Sequence, residues 1–317
     1  MSGHPELRDH LEAYLAVREA LGFNDAARRT LLRSFVEYAI TTDRWPIDAQ
    51  LALDWACGPS SVRSAAGQAS RLSAVRRFLC YLRASVPETQ VPGSGLIARQ
   101  QRRKPYIFTQ EELTRLLDAA AAMRPRRKLR PHVYVSMIGL LASTGLRAGE
   151  AIRLTVDDVR LDIDPPRILV LETKFRKSRI VPVHPTAAEK LKTYALLRRR
   201  LGYAGLSDLF FMSEIGTAIS YGFFATWFTR TARRLGMSPP LGARAPTLHS
   251  LRHTFAVERL TQWCLEGVPV QQWVPNLSVY LGHVSPVETY WYLTATPALL
   301  TAAAAAFGQY ANLGDTR

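Results

Sequence analysis

His249-Ser250-Leu251-Arg252-His253, followed by Leu281-Gly282-His283 and, nine residues later, by Tyr292, is the stretch on which the reading of this chain turns. Upstream, Thr144-Gly145-Leu146-Arg147-Ala148-Gly149-Glu150 adds a second arginine. Phosphodiester cleavage needs a nucleophile, positive charge on the non-bridging oxygens and an acid for the leaving oxygen. A tyrosine of ordinary pKa, about 10, is mostly protonated at neutral pH and needs a nearby base or strong positive potential. Histidines supply the first and arginines the second. Two guanidiniums, Arg147 and Arg252, can fork onto one phosphate, a geometry lysine does not match. Taken singly each residue is weak: an arginine in a basic chain is usually on the surface, and His249 alone reads as a structural histidine. Tyr292 sits in Thr289-Tyr290-Trp291-Tyr292-Leu293-Thr294, where an aromatic run is more often core packing than nucleophile. The weight lies in their combination and order.

The composition narrows the class of partner. The chain has 317 residues, 47% of them hydrophobic, and a formal net charge of +15, with a sequence pI of about 10.2. That length favours two domains, and the hydrophobic content excludes a disordered tail protein. The positive excess points to an anionic partner, nucleic acid first, with a merely solvated arginine-rich surface as the alternative. Cys57, Cys80 and Cys264 are widely spaced and form no C-x-x-C pair, so neither a disulfide framework nor a zinc site is expected. The N-terminus lacks the order of a signal peptide, and the longest apolar stretch, 133–142, is too short to span a bilayer. A cytoplasmic protein with no membrane partner is the expectation.

Hydrophobic spacing predicts a mainly α fold with one small antiparallel sheet. Leu7, Leu11 and Leu15, then Leu31, Phe35 and Tyr38 with Leu32, Val36 and Ile40, then Leu72, Val75, Leu79 and Leu82, recur at intervals of three and four. Residues 1–90 therefore read as a helical domain, with Gly22, Pro46 and Gly58-Pro59 as breaks and Asp48 opening a short helix. Its last helix carries Arg63, Arg71, Arg76 and Arg77, candidate phosphate contacts or simply a solvated face. Residues 91–107, with Arg99, Arg102, Arg103 and Lys104 among proline and glycine, read as a basic linker that can follow a DNA backbone. The second domain, 108–317, opens with the capping box Thr109-Gln110-Glu111-Glu112. It continues with a buried helix at 133–142, a helix from Arg147 to Leu154, and strands at 168–171 and 179–183 across a turn holding Lys174 and Lys177. Helices then return, including 221–235 and the segments bearing His249, His283 and Tyr292.

Thr144-Gly145-Leu146-Arg147 with Glu150, Lys174 ahead of Arg179-Ile180-Val181-Pro182-Val183, His249-Ser250-Leu251-Arg252-His253, Leu281-Gly282-His283 and Tyr292 together resemble the tyrosine recombinase (phage integrase) family, in the family's order, over roughly residues 109–300. The resemblance implies a helical DNA-binding domain joined to a DNA breaking-rejoining catalytic domain. It implies attack by Tyr292 on the scissile phosphate, giving a 3′-phosphotyrosyl enzyme and a free 5′-hydroxyl, then reversal by a 5′-hydroxyl of a partner strand, with neither metal nor ATP as cofactor. Arg147 and Arg252 would hold the phosphate, His249 assist proton transfer, and His283 hydrogen-bond the phosphate. Lys174 would be the general acid, with Lys177 the alternative and otherwise a candidate DNA contact. Glu150 would orient the basic cluster, or stand as a helix-surface acid. Tyr290 competes with Tyr292 as nucleophile, and His253 reads as structural. The connection at 261–274 is longer than the family's common one. With the sequence after the tyrosine, it looks like the transposon-associated branch. The helix-forming stretch Ala298–Phe307 would dock onto a neighbouring protomer in a homo-tetramer on two duplexes, or pack within its own chain. A protein associated with the nucleoid when bound to double-stranded DNA follows. The remaining readings are an enzyme that relaxes DNA or resolves hairpin ends by the same chemistry, and a DNA-binding accessory protein with an unused pocket.

Overall fold

The computed structural model describes residues 6–23, 26–58, 64–98, 103–125, 128–171, 178–283 and 285–293. The chain divides into two compact units, Met1–Arg102 and Arg103–Arg317. In the first, helices α1 (Glu6–Ala20), α2 (Ala26–Thr41), α3 (Ala49–Cys57) and α4 (Ala65–Leu82) enclose one core. The expected positions meet there: Leu7, Leu11 and Leu15 from α1, Leu32, Phe35 and Val36 from α2, and Leu72, Val75, Leu79 and Leu82 from α4. Leu31, Tyr38 and Ile40 flank that core only partly buried, because the buried stripe of α2 runs through Leu32, Phe35, Val36 and Ala39. Asp48 caps α3 by accepting the Leu51 N–H at 2.6 Å, which satisfies a donor the first helical turn leaves over.

The basic residues of α4 divide by role. Arg71 lays its guanidinium 3.8 Å from the centre of the Trp55 ring and donates to the Trp55 carbonyl at 3.2 Å. Arg76 donates from Nε to the Pro92 carbonyl at 2.9 Å, whereas the Arg77 side chain is exposed. Arg63 and Arg102 lie outside the described residues. Within the expected linker, Val91 and Ile97 pack against the first core, and Tyr106 belongs to the second. Arg103 and Lys104 are exposed, and the Lys104 carbonyl accepts from Arg244 N at 2.9 Å within the second unit.

The second unit begins with α5 (Gln110–Ala121), whose capping box closes as expected: Glu112 N donates to Thr109 Oγ1 at 3.1 Å and Thr109 N to Glu112 Oε2 at 3.0 Å. Buried α6 (Leu129–Thr144) ends at Gly145, with φ of +64°. A Cβ there would stand 2.6 Å from Cδ1 of Phe255, so both the left-handed turn and the packing require glycine. The turn leads into α7 (Ala148–Arg153) with Arg147 at its cap. Strands β1 (Val159–Arg160), β2 (Arg167–Val170) and β3 (Arg179–Pro182) form an antiparallel sheet in that order, with buried Ile168 facing buried Val181. Lys174 and Lys177 fall between β2 and β3 in sequence, outside the described residues.

Helices α8 (Pro185–Arg200), α9 (Tyr221–Arg234), α10 (Leu248–Leu265), α11 (Val270–Leu281) and α12 (Val287–Leu293) complete the unit. The long connection at 261–274 is taken up by the end of α10, a turn with Gly267 at φ of +69°, and the start of α11. Beside the main core a smaller cluster joins Ala256, Val257, Leu260, Val274, Leu277 and Leu281 to Tyr292. Residues 298–307 lie outside the described residues. Among the described residues no helix is long and apolar enough to cross a membrane.

Candidate active site

The spacing from Arg147 to Glu150 has a local cause. At the start of α7, Glu150 turns back and accepts from Arg147 N at 3.0 Å and from Arg147 Nη1 at 2.9 Å, so one carboxylate holds both the helix start and the guanidinium. The same carboxylate receives a two-pronged bond from Arg179, Nη1 at 3.1 Å and Nη2 at 2.7 Å. The Glu150 side chain is only 3% exposed. Burial alone would push its carboxyl up, but the Arg179 hydrogen bonds and charge, with those of Arg147, outweigh burial and hold it down to about 2.

Three arginines then meet the end of α11. Arg179 Nε donates to the Tyr280 carbonyl at 2.8 Å, Arg252 Nη2 to that of Leu281 at 2.6 Å, and Arg147 Nη2 to that of Gly282 at 3.0 Å. Carbonyls at a helix C-terminus lack partners within the helix and sit at its negative end, which favours cations there. Gly282 has φ of +67°, and a Cβ on it would lie 2.7 Å from Arg179 Nη1. Leu-Gly-His therefore needs glycine both for the turn and for the arginine beside it.

Arg252 is 1% exposed. Its Nη1 donates to the Gly145 carbonyl at 2.8 Å, and its buried Nε finds no acceptor among the described residues. Burial first, then the charge of Arg147, lowers its pKa to about 10, with Tyr292 and Glu150 opposing, so it remains a cation at neutral pH. Arg147, Arg179 and Arg252 against Glu150 leave an excess of two positive charges in this cluster.

Tyr292 faces inward from α12 and is 2% exposed, whereas Tyr290 on the same helix is 40% exposed. The Tyr292 hydroxyl lies 3.0 Å from Nδ1 of His253. The His283 ring stacks on Tyr292 at 6.3 Å between centres, and its Nδ1 lies 2.7 Å from Thr289 Oγ1. His249, one turn before His253 on α10, is exposed and meets the His253 ring edge-on at 4.4 Å.

Thus Arg147, Glu150, Arg252, His283 and Tyr292 converge, with His249 at the exposed margin; Lys174 and Lys177 are not among the described residues. Sequence reasoning passed over two members of the cluster. Arg179 enters the sequence reading as the start of a strand and of the motif after Lys174, with no site role, although its charge opening a β-branched run is a signal. His253 reads as structural from the sequence, although its i,i+4 spacing from His249 places both on one helix face. Among the described residues no group of His, Cys, Asp and Glu is arranged to hold a metal ion.

The chain is similar to several known proteins. Residues 107–298 match the phage integrase family. An integrase/recombinase of Sinorhizobium fredii, y4rB, is 37% identical over 299 residues, which cover 92% of this chain and 94% of that protein. Among solved structures, the XerH site-specific recombinase bound to a palindromic difH substrate superimposes with a TM-score of 0.64 at 20% identity, covering 86% of this chain and 77% of that one. The Tn1549 transposon integrase in complex with a circular intermediate DNA gives 0.63 at 16% identity, covering 90% and 94%. The two structures share the fold; the match over residues 107–298 and the nearly full-length relative go further, and the chain belongs to the phage integrase family, the tyrosine recombinases.

Proposed function

We propose that the protein is a site-specific DNA recombinase of the integrase or transposon type, which cleaves and rejoins DNA strands through a 3′-phosphotyrosine. One observation carries this reading: an inward-facing tyrosine whose hydroxyl meets an imidazole, beside a guanidinium cluster that holds more positive charge than its carboxylate balances. In the forward step the Tyr292 oxygen bonds to phosphorus and the bond to the 5′ oxygen breaks. Arg147 and Arg252 bind the non-bridging oxygens, where charge grows in the transition state. His283 hydrogen-bonds the phosphate and His249 assists proton transfer from the exposed side. Lys174, carried between β2 and β3, protonates the leaving 5′ oxygen. The covalent bond conserves the phosphodiester energy, so a 5′-hydroxyl of a partner strand reverses the step without ATP. Because the guanidiniums supply the charge stabilisation, the reaction proceeds in a chelator. Arg77, Arg103 and Lys104, exposed in the structure, contact DNA phosphates, as do Arg63, Arg102 and Lys177. Arg71 and Arg76 serve DNA only at the margin of their internal bonds. The stretch Ala298–Phe307 docks onto a neighbouring protomer, making a tetramer on two duplexes.

The full-length protein mixed in EDTA with its footprinted site, nicked next to the scissile phosphate, is expected to give a protein–DNA adduct that survives boiling in detergent. Tyr292→Phe abolishes the adduct and Tyr290→Phe retains it. The reverse pattern overturns the nucleophile assignment, and a wild type that forms no adduct overturns the enzymatic reading.

A further inference from the structure

We infer that His253 is a catalytic residue, the group that takes the phenolic proton of Tyr292 as its oxygen bonds to phosphorus. The inference rests on the recombinase reading and changes one assignment within it. Of the imidazoles around Tyr292, His253 has its Nδ1 at hydrogen-bond distance from the hydroxyl, 3.0 Å. The His283 ring lies against the Tyr292 ring while its Nδ1 meets Thr289. His249 meets the His253 ring edge-on. Helix α10 therefore gives adjacent residues separate tasks. Arg252 turns its nitrogens to the Gly145 and Leu281 carbonyls and supplies charge, while His253 turns to the nucleophile.

The proton count fixes the tautomer. To accept, Nδ1 must be unprotonated and Nε2 must carry the hydrogen. On cleavage the Tyr292 Oη–P bond forms, the P–O5′ bond breaks, and the phenolic proton moves to Nδ1, giving an imidazolium. The leaving oxygen takes a different proton, from the acid assigned to Lys174. On rejoining, a 5′-hydroxyl attacks phosphorus and gives its proton to that acid's conjugate base. The released phenolate recovers the first proton from His253. His249, one turn earlier on α10, is exposed and lies edge-on to His253 at 4.4 Å.

A buried tyrosine hydroxyl also seeks a partner for purely structural reasons, and the substitutions separate the two roles. His253→Asn keeps a hydrogen-bonding atom near the place of Nδ1 but does not carry a proton; His253→Ala removes both. Single-turnover adduct formation by the full-length protein is followed on two nicked sites, one with the natural 5′ oxygen and one with sulfur at the bridging position, whose departure needs no acid. His253→Asn is expected to melt close to wild type and bind the site normally, yet react about 10²-fold slower on both substrates. Lys174→Ala recovers on the sulfur substrate. Wild-type rates for His253→Asn, or its full recovery on sulfur, overturn the role of His253 while wild type stays active. A wild type silent on both substrates overturns the recombinase reading and this inference with it.

Discussion

Arg252 combines near-complete burial with a charge, and its two Nη atoms point to carbonyls on different segments, Gly145 and Leu281. A lysine keeps the charge but cannot reach both while presenting a planar fork to a phosphate. Arg252→Lys is therefore expected to slow adduct formation by about 10²–10³-fold, the loss typical of a missing oxyanion donor, in a single-turnover assay. Glu150 gives a prediction with a definite sign. Its folded pKa, about 2, lies below the ordinary 4.5, so its contribution to stability is complete above pH 4.5 and is lost as pH falls through about 2. The gross linkage is on the order of 3 kcal/mol. Denaturant melts of wild type and Glu150→Gln should differ most near neutral pH and converge between pH 4.5 and 2. A gap that stays constant over that range would show that the carboxylate charge contributes nothing.

At the level of elements, the corner between α11 and α12 depends on one glycine. Gly282→Ala combines a left-handed backbone, roughly 1–2 kcal/mol for a residue with a Cβ, with a clash against Arg179. The expected outcome is a lower melting temperature together with slower adduct formation, because Arg179 also holds Glu150. Arg179→Ala should restore part of the stability lost in Gly282→Ala, a coupling that a double-mutant cycle reads directly. Most elements were legible in the sequence, since their causes are local: the Thr109–Glu112 box, the Asp48 cap, and the three-and-four spacing through α1, α2 and α4. The strands around residues 168 and 180 were legible from β-branching. In the site, Arg147, Arg252 and Tyr292 stood out by motif. The Arg179–Glu150 pair and the His253–Tyr292 contact did not, because each joins residues 29 and 39 positions apart and arises only from tertiary packing. The identity of a target DNA sequence is not legible either, since it resides in base-edge contacts and DNA deformability.

For the whole molecule, the net charge of +15 makes DNA affinity a function of salt. A plot of log affinity against log salt for the full-length protein should be linear, with a slope near −0.9 for each phosphate neutralised. Arg77→Ala, which removes an exposed cation, is expected to make that slope shallower by about one at little cost in stability. Arg71→Ala should behave oppositely, lowering the melting temperature through loss of the Trp55 contacts with a smaller change in slope. An unchanged slope for Arg77→Ala would place that face away from DNA. The grip of Arg147, Arg179 and Arg252 on the carbonyls of Tyr280, Leu281 and Gly282 spans 135, 101 and 29 positions of chain. A nascent chain, a partly folded one or a proteolytic fragment can hold the tyrosine without the other arms of that grip. The grip is therefore complete only once the segments bearing all three arginines have folded against the end of α11.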